Sequence, residues 1–416
     1  MLIIPRGIIY HSLCFEIRSL LSSLFSNLDN KEEVHNFENK FSKYMGTKYC
    51  IAFPFARTAI YYSLKTKSFP EGTEIIMPPI SIKGILDVVL DLKLKPVFVD
   101  IHPDTLCFDL NGLKKSISSK TKAILITYLY GIVPDIEDLF NLCSQNDLFI
   151  IEDFSHNLNA TYNGKRLGTF GHVGIYSSSS VKTLDTFGGG LLITNNTELH
   201  SLLIQYSKSL QTPPRGILVK KIITNLIRNF AVNRIIFTLF TFPLIKILKI
   251  FFPEDIMKYS GTRENKPIEK LPSEWFYSFT SFQATVGSEM LKNVSKFDEI
   301  RINNVKKIKS AVDNIETPSG DLRGKNVYWQ FVFYYSDINK AQTQLNANKV
   351  DTSTTSLIYI SSLESYPCKG ITPNADKLYN TGLFIPTYPR LTNKEIYYIA
   401  NIINSLINLN QEKLIE

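Results

Sequence analysis

The sequence lacks the patterns that hold most disulfide frameworks and metal ions. Its five cysteines are scattered, odd in number and without a CxxC pair: Cys14, Cys50, Cys107, Cys143 and Cys368. The six histidines show neither HExxH nor HxH spacing. These absences argue against a disulfide scaffold and a structural zinc site, and they predict reduced cysteines and no metal site.

Long uninterrupted apolar segments are also missing. Near the amino terminus, Arg6, His11 and Glu16 interrupt the apolar run, so no tripartite signal peptide is visible and we expect a cytoplasmic protein. The longest uncharged part of the most apolar region, 235–245, has 11 residues. Because about 20 are needed to cross a bilayer, a membrane span is not expected there.

Acidic residues are absent from one segment, 208–253, which contains eight lysines and arginines. The whole chain has 46 basic and 38 acidic side chains, a formal net charge of +8, so the remainder is balanced. A basic chain can indicate nucleic-acid binding. Here the charges alternate with long aliphatic and aromatic runs, which favours a membrane surface as the partner over nucleic acid.

The basic segment also shows apolar residues at helical spacing, and one helical face carries Val219, Ile222, Ile223, Leu226, Ile227 and Phe230. The opposite face carries Lys220, Lys221, Asn225 and Arg228. Pro243 is expected to kink a helix over 235–252. We predict a basic apolar insertion at 208–270, in which 208–255 form an interfacial helix pair with its cations at lipid headgroups. A buried oligomer contact or a core insertion is the alternative.

Length and pattern predict an α/β fold. The chain has 416 residues, 44% hydrophobic and 20% charged, which is enough for one large domain and a smaller one. Apolar strand-like runs alternate with helical segments such as 82–92 and 135–146, and they lie at 74–79, 95–101, 122–131, 148–153, 173–179 and 190–195. Such alternation predicts a mostly parallel sheet covered on both faces.

A second, smaller α/β pattern follows residue 290. It predicts a helix over 292–314, a strand over 327–335, a helix from 338 and a final helix over 393–408. We therefore expect an N-terminal segment (1–45), a large domain (46–290) that includes the insertion, and a small C-terminal domain (291–416).

Candidate site residues follow the predicted strands, because ligands of parallel sheets collect at the carboxyl ends of strands. Asp153 closes the run 148–153, and Lys182 follows the small-residue run SSSSV, which allows close approach of a bulky cofactor. Ser177 and the turn at Ala56 and Arg57, which opens a helix, are candidates for binding phosphate. Taken singly, Asp153 is also explained as a helix cap and Lys182 as a surface charge.

Several motifs, in order along the chain, resemble those of the DegT/DnrJ/EryC1/StrS sugar aminotransferases, which are fold-type I pyridoxal-phosphate enzymes. They are FENKFSKYMGTKYCIAF (37–53), KPVFVDIHPDT (95–105), TKAILITYLYGIVPDIEDL (121–139), LFIIEDFSHNLNATYNGKRLGTFGHVGIYSSSSVK (148–182), GGGLLITNN (188–196), FQATVG (282–287) and PNADKLYNTGLFIPTYPRLTNKEI (373–396). The resemblance implies a mostly parallel sheet of the seven-stranded type, a smaller C-terminal domain, and a homodimer with its active site at the subunit interface.

By this resemblance, Lys182 matches the lysine that holds pyridoxal 5'-phosphate as a Schiff base, and Asp153 matches the aspartate beside the pyridine nitrogen. Ser177 matches the phosphate-binding serine, and His156 replaces a glutamine that contacts the ring hydroxyl. Relatives that dehydrate deoxysugars carry histidine at the lysine position, so Lys182 favours transamination. The resemblance implies glutamate as amino donor and a nucleotide-linked keto-sugar, used for surface glycans or secondary metabolites, as acceptor.

Other positions depart from the family pattern. The phosphate turn reads Phe-Ala-Arg at 55–57 instead of Ser-Gly-Thr, and Ile82 replaces an aromatic ring that stacks on the pyridine. Phe276 replaces an asparagine that reaches the neighbouring subunit's phosphate, and Gly188 replaces a glutamate. The altered cradle keeps open a second interpretation, a membrane-attached scaffold or sensor with altered catalysis. No cysteine stands near Lys182, which disfavours β-elimination or desulfuration.

Overall fold

The computed structural model describes residues 1–251, 266–364, 366 and 370–415. Cys368 and the part of the predicted insertion at 252–265 lie outside the described residues. The strands, in chain order, are β1 (Tyr49–Phe53), β2 (Glu74–Met77), β3 (Ile80–Ser81), β4 (Lys95–Phe98), β5 (Thr121–Thr127), β6 (Phe149–Asp153), β7 (Thr161–Tyr162), β8 (Lys165–Arg166), β9 (Val173–Ser177), β10 (Gly190–Thr194), β11 (Gly324–Lys325), β12 (Phe331–Tyr334), β13 (Ile358–Tyr359) and β14 (Gly382–Ile385).

The helices connect these strands and form the two ends of the chain. They are α1 (Leu13–Phe25), α2 (Lys31–Met45), α3 (Ala56–Lys65), α4 (Lys83–Asp91), α5 (Leu110–Ser116), α6 (Ile136–Gln145), α7 (Thr197–Ser209), α8 (Arg215–Ala231), α9 (Arg234–Ile236), α10 (Phe242–Phe251), α11 (Ser281–Met290), α12 (Val294–Ala311), α13 (Ile338–Ala347), α14 (Pro373–Thr381) and α15 (Asn393–Ile415). A π-helical turn (Phe237–Thr241) joins α9 to α10, and 3₁₀ turns occupy Ser273–Phe276 and Ile360–Ser362.

Seven strands form the central sheet in the order β1-β10-β9-β6-β5-β2-β4. The strands from β9 to β4 are all parallel, whereas β10 is antiparallel to both β9 and β1. The predicted α/β fold with a mostly parallel sheet is confirmed, and each of the six predicted strands is present. β1 is not among the predicted strands, and its partner is distant in the chain: Tyr49 pairs with Thr194.

Both faces of the sheet are covered. Along β2, Ile75 and Met77 pack into one hydrophobic cluster and Ile76 packs into another, as the twofold period of a strand requires. A third cluster surrounds β12 and β14 and contains buried residues of α12, α13 and α15. Ile4 belongs to that third cluster, and its N–H donates to the Lys349 carbonyl at 2.9 Å. The N-terminal segment therefore packs against the C-terminal part of the chain.

The predicted helix in the insertion is present as α8, but its polar face is partly wrong. Ile223, Ile227 and Phe230 are exposed, as an apolar outer face requires. Asn225, which the sequence pattern places opposite them with the solvated cations, is fully buried. It is buried because its Nδ2 donates to Asp185 Oδ2 at 2.9 Å and its Oδ1 accepts from Ser180 Oγ. These contacts join α8 to the loop that contains Lys182.

The kink expected at Pro243 is not what the structure shows: Arg234–Leu248 runs through Pro243 as one helical segment with a π-helical turn at Phe237–Thr241, and the bend lies before Arg234. Proline has no N–H to donate to the carbonyl four residues earlier, and a π-helical turn accommodates that loss. No single described helix is long and apolar enough to cross a membrane. Among the described helices, one pair has the necessary length and composition only when both are taken together. The pair is Arg215–Ala231 and Arg234–Leu248, which meet at a bend of 65°.

Candidate active site

The ends of four neighbouring strands bring the predicted site residues together. Asp153 ends β6, and it lies beside Ile175 of the parallel strand β9, which ends at Ser177. Ser177 pairs with Gly190 at the start of β10, and Gly190 pairs with Phe53 at the end of β1. The chain then enters α3, so Asp153, Ser177 and the turn at Ala56 share one edge of the sheet.

Two consecutive carboxylates at the end of β6 differ in their surroundings because successive strand residues point to opposite faces. Glu152 is fully buried and accepts hydrogen bonds from Tyr128 Oη and from the N–H groups of Gly168, Phe170 and Gly171. Its hydrogen-bonding capacity is therefore filled.

Asp153 keeps capacity for a ligand. Within the described residues its carboxylate accepts hydrogen bonds from Ser155 alone, whose nitrogen lies 3.0 Å from Oδ1. Burial raises the pKa of Asp153, and the Ser155 hydrogen bonds and the Lys182 charge partly offset that rise. A buried carboxylate with so few donors is suited to a cationic group such as a protonated ring nitrogen.

Lys182 is a buried amine packed on an aromatic ring. Its Nζ lies 3.7 Å from the centroid of the Trp329 ring, and within the described residues it donates no hydrogen bond. Burial lowers the pKa of Lys182 to about 7, against a smaller opposing effect of Asp153. A substantial fraction of this amine is therefore neutral, and nucleophilic, near pH 7.

The residue before the lysine adopts an unfavourable backbone conformation. Val181 has a φ of 69°, in the left-handed region where a β-branched residue is rare, and such strain costs of order 1–3 kcal/mol. Trp329 Nε1 donates to the Val181 carbonyl at 3.2 Å, so the same indole contacts the lysine and holds its loop. Trp329 is not among the residues predicted from the sequence. It stands just before β12, far from Lys182 in the chain.

His156 also packs on the Trp329 ring. The two rings stack with centroids 3.9 Å apart and planes 14° apart, and His156 Nδ1 accepts from the Tyr130 N–H at 3.1 Å. Burial, together with the Lys182 charge, holds the pKa of His156 well below its usual range. A neutral imidazole that accepts at Nδ1 carries its proton on Nε2, which leaves one donor for a ligand oxygen.

The predicted phosphate turn lies at the start of α3. Phe55, the residue before this helix, makes no side-chain cap, so amides of the first turn are left for another acceptor. A Cβ at Gly190 would lie 2.4 Å from the Ala56 nitrogen, which shows how closely β10 approaches this turn. Ser177 Oγ donates to Ser179 Oγ at 3.2 Å. The elements for binding an anion are present on three segments.

The positions that depart from the family pattern have other contacts. Ile82 precedes α4 and is 37% exposed, and Phe276 packs edge-on against Tyr61 with ring centroids 5.2 Å apart. Gly188 has a φ of 104°, a conformation that a glutamate would rarely adopt. The described part of the chain contains no group of three or more His, Cys, Asp or Glu side chains that could hold a metal ion.

Comparison with known proteins identifies the class and then the family. A solved aminotransferase structure from Psychrobacter cryohalolentis superposes with a TM-score of 0.72 at 21% identity, covering 94% of this chain and 96% of that one. The fold is therefore that of the fold-type I pyridoxal-phosphate-dependent transferases. Residues 16–212 and 256–404 match the DegT/DnrJ/EryC1/StrS aminotransferase family, and the chain belongs to this family of pyridoxal-phosphate-dependent sugar aminotransferases.

Two curated relatives with assigned activities match over shorter stretches. A GDP-perosamine synthase of Escherichia coli O157:H7 is 30% identical over 173 residues, 42% of this chain and 48% of that protein. A GDP-4-keto-6-deoxy-D-mannose 3-dehydratase of Yersinia pseudotuberculosis is 34% identical over 180 residues, 42% of this chain and 46% of that protein. These alignments thus cover less than half of each relative. The family match leaves out 213–255, which contains α8, α9 and α10.

Proposed function

We propose that this enzyme transfers an amino group from glutamate to a nucleotide-linked keto-sugar, with a GDP-linked sugar as the first candidate. The single observation that carries the proposal is Lys182, a buried amine whose pKa is lowered to about 7 beside the carboxylate of Asp153. A sugar dehydratase is the second candidate, because one of the relatives carries that name. The resemblance associates dehydration with histidine at this position, so Lys182 favours amino transfer.

The residues at the strand ends fit pyridoxal 5'-phosphate, which supplies an electron sink at the amino-bearing carbon. Lys182 would hold its aldehyde carbon and then, as a free amine, carry the proton between substrate and cofactor. Asp153 would keep the ring nitrogen protonated, and the His156 Nε2–H would donate to the ring hydroxyl. Ser177 and the free amides at Ala56 and Arg57 would bind the phosphate.

The visible spectrum of purified protein with added cofactor tests this proposal. We expect an absorbance band from covalently held cofactor that shifts with glutamate, disappears in Lys182→Ala and persists in Lys306→Ala, an exposed lysine on α12. If the purified protein shows no such band even with excess cofactor, the result favours the second interpretation, a membrane-attached scaffold or sensor. Mass spectrometry of products from a panel of keto-sugar nucleotides then identifies the acceptor.

We also propose that the protein rests on an anionic membrane surface through α1 and the insertion. The exposed cations Lys208, Lys220, Arg228 and Lys246, in a segment without carboxylates, complement anionic headgroups. Exposed apolar residues support contact with lipid, and they lie on α8 and α10 and also on α1, which packs against α8: Ile17, Leu21, Leu24, Phe25, Ile223, Ile227, Phe230, Leu244 and Ile247. For an enzyme at such a surface, a lipid-linked sugar is a second candidate acceptor, and the product analysis should include it.

Two further expectations remain proposals. A homodimer is implied by the family resemblance, and the molar mass in solution tests it. The division into a large domain (46–290) and a small domain (291–416) is supported by the separate hydrophobic cluster around β12 and β14. Limited proteolysis with cleavage confined to the region near residue 290 is the expected result.

A further inference from the structure

A lysine of the insertion reaches the start of α3. Lys221, on α8, places its Nζ 4.7 Å from the centroid of the Phe55 ring and 3.3 Å from where a Cβ at Gly188 would lie. The sequence pattern puts Lys221 on the outer face with the lipid headgroups, and this is wrong, because α8 turns that side chain toward Phe55. If residue 188 were a glutamate, as in the family, its Cβ would already contact the Lys221 amine.

A second cation lies against the same ring. The Arg57 Cζ is 4.8 Å from the Phe55 centroid and 4.4 Å from the Trp275 centroid. Across the residues that the structure describes, neither Arg57 nor Lys221 donates a side-chain hydrogen bond or forms an ion pair within 4.0 Å. Burial lowers the pKa of Arg57 to about 10 and also lowers that of Lys221. Two largely buried cations thus lie against the Phe55 ring with no acceptor for either among the described residues.

The nearby carboxylates do not neutralise the pair. Glu274 is exposed and acts on both cations from beyond ion-pair distance, and Asp87 acts on Arg57. Asp87 is already held by Lys83 Nζ at 2.9 Å and by Tyr366 Oη at 2.9 Å. An excess of positive charge therefore remains beside the uncapped start of α3, where the helix dipole is also positive.

We infer that Lys221 and Arg57 form an anion site at the start of α3 that binds a phosphate group, with Lys221 replacing contacts that the altered 55–57 turn has lost. This inference rests on the proposed function for its ligand, which is the phosphate of the cofactor or the diphosphate of the nucleotide-sugar. Lys221 belongs to 213–255, which the family match leaves out, so this amine comes from outside the matched part of the chain. Gly188 leaves room for it and removes a competing carboxylate.

Isothermal titration of Lys221→Met tests the inference, with Lys220→Met, the exposed neighbour on α8, as matched control. Cofactor-free protein is titrated with pyridoxal 5'-phosphate, with pyridoxal and with inorganic phosphate, and the cofactor-loaded protein is titrated with GDP. Loss of one charge-assisted hydrogen bond should raise the affected Kd about tenfold or more. Pyridoxal binding in Lys221→Met, and all Kd values in Lys220→Met, should stay unchanged.

The titrations separate the two sources of phosphate. A raised Kd for pyridoxal 5'-phosphate assigns the site to the cofactor, and a raised Kd for GDP alone assigns it to the nucleotide. Unchanged Kd values for all three phosphate compounds overturn the inference. Unchanged pyridoxal binding shows that Lys221→Met is folded. If the wild type binds inorganic phosphate through Lys221 but never holds the cofactor covalently, the anion site stands and the proposed function fails.

Discussion

Lys182 Nζ lies over the indole ring of Trp329, 3.7 Å from its centroid, although Lys182 belongs to the first α/β pattern and Trp329 to the second, smaller one. The same ring stacks on His156, and its Nε1–H donates a hydrogen bond to the Val181 carbonyl. One side chain thus orders the lysine, its loop and the imidazole. Burial under this ring is also part of why the lysine pKa falls, so the contact has a chemical consequence.

The first prediction concerns pH. Because only a neutral amine attacks an aldehyde, and burial lowers the pKa of Lys182 to about 7, covalent attachment of the cofactor should reach half its maximal rate near pH 7. An ordinary lysine would reach that point near pH ~10.4. Stopped-flow absorbance of cofactor-free protein measures the rate. A rate that still rises tenfold per pH unit at pH 9 would contradict the lowered pKa.

Asp153→Asn should move that midpoint to lower pH. The Asp153 carboxylate favours the charged form of Lys182, so its removal lowers the lysine pKa further below its present value. Turnover should fall at the same time, because the ring nitrogen loses its counter-ion. Asp147→Asn, a change at an exposed aspartate, should alter neither quantity. A midpoint that moves upward in Asp153→Asn would show that the two groups do not interact as the structure indicates.

Glu152→Gln should destabilise the fold rather than change the chemistry directly. The substitution places an amide donor against the N–H groups of Phe170 and Gly171, which now donate to Oε1, or against the two donors at Oε2. Leaving one or two buried donors unsatisfied costs about 2–4 kcal/mol of unfolding free energy. Urea denaturation measures it, and Glu198→Gln on the exposed start of α7 serves as control. A loss under about 0.5 kcal/mol would rule out the assigned network.

Membrane contact should depend on the apolar face shared by α1 and α8. The double substitution Leu21→Glu and Ile227→Glu places two carboxylates among exposed apolar side chains that are 59% and 63% accessible. Sedimentation with vesicles of anionic lipid should fall to the level seen with neutral lipid, because apolar burial and charge attraction are both reduced. Leu322→Glu, at a fully exposed residue elsewhere, should sediment like the wild type. Equal sedimentation of all three proteins would exclude this surface.

Much of the fold was open to prediction because it rests on local periodicity. Buried strands read as continuous apolar runs, so β2, β4, β5, β6, β9 and β10 are visible in the sequence, and the ordered motifs point to one family. The edge strand β1 was not predicted, because its antiparallel pairing with β10 joins residues far apart in the chain. The faces of α8 were misassigned at Asn225 and Lys221 for a related reason: their partners Asp185 and Phe55 lie in other segments.

The sequence by itself determined the candidate residues of the site, from Asp153 at the end of an apolar run to Lys182 after a run of small residues. Only the tertiary structure decided their surroundings. Trp329, which no local pattern marks, buries the lysine, and burial is what sets the pKa of its amine. Likewise Lys221 reads as a solvated helix charge until the folded chain brings it against Phe55, since the environment of a side chain depends on segments that meet only in the folded chain.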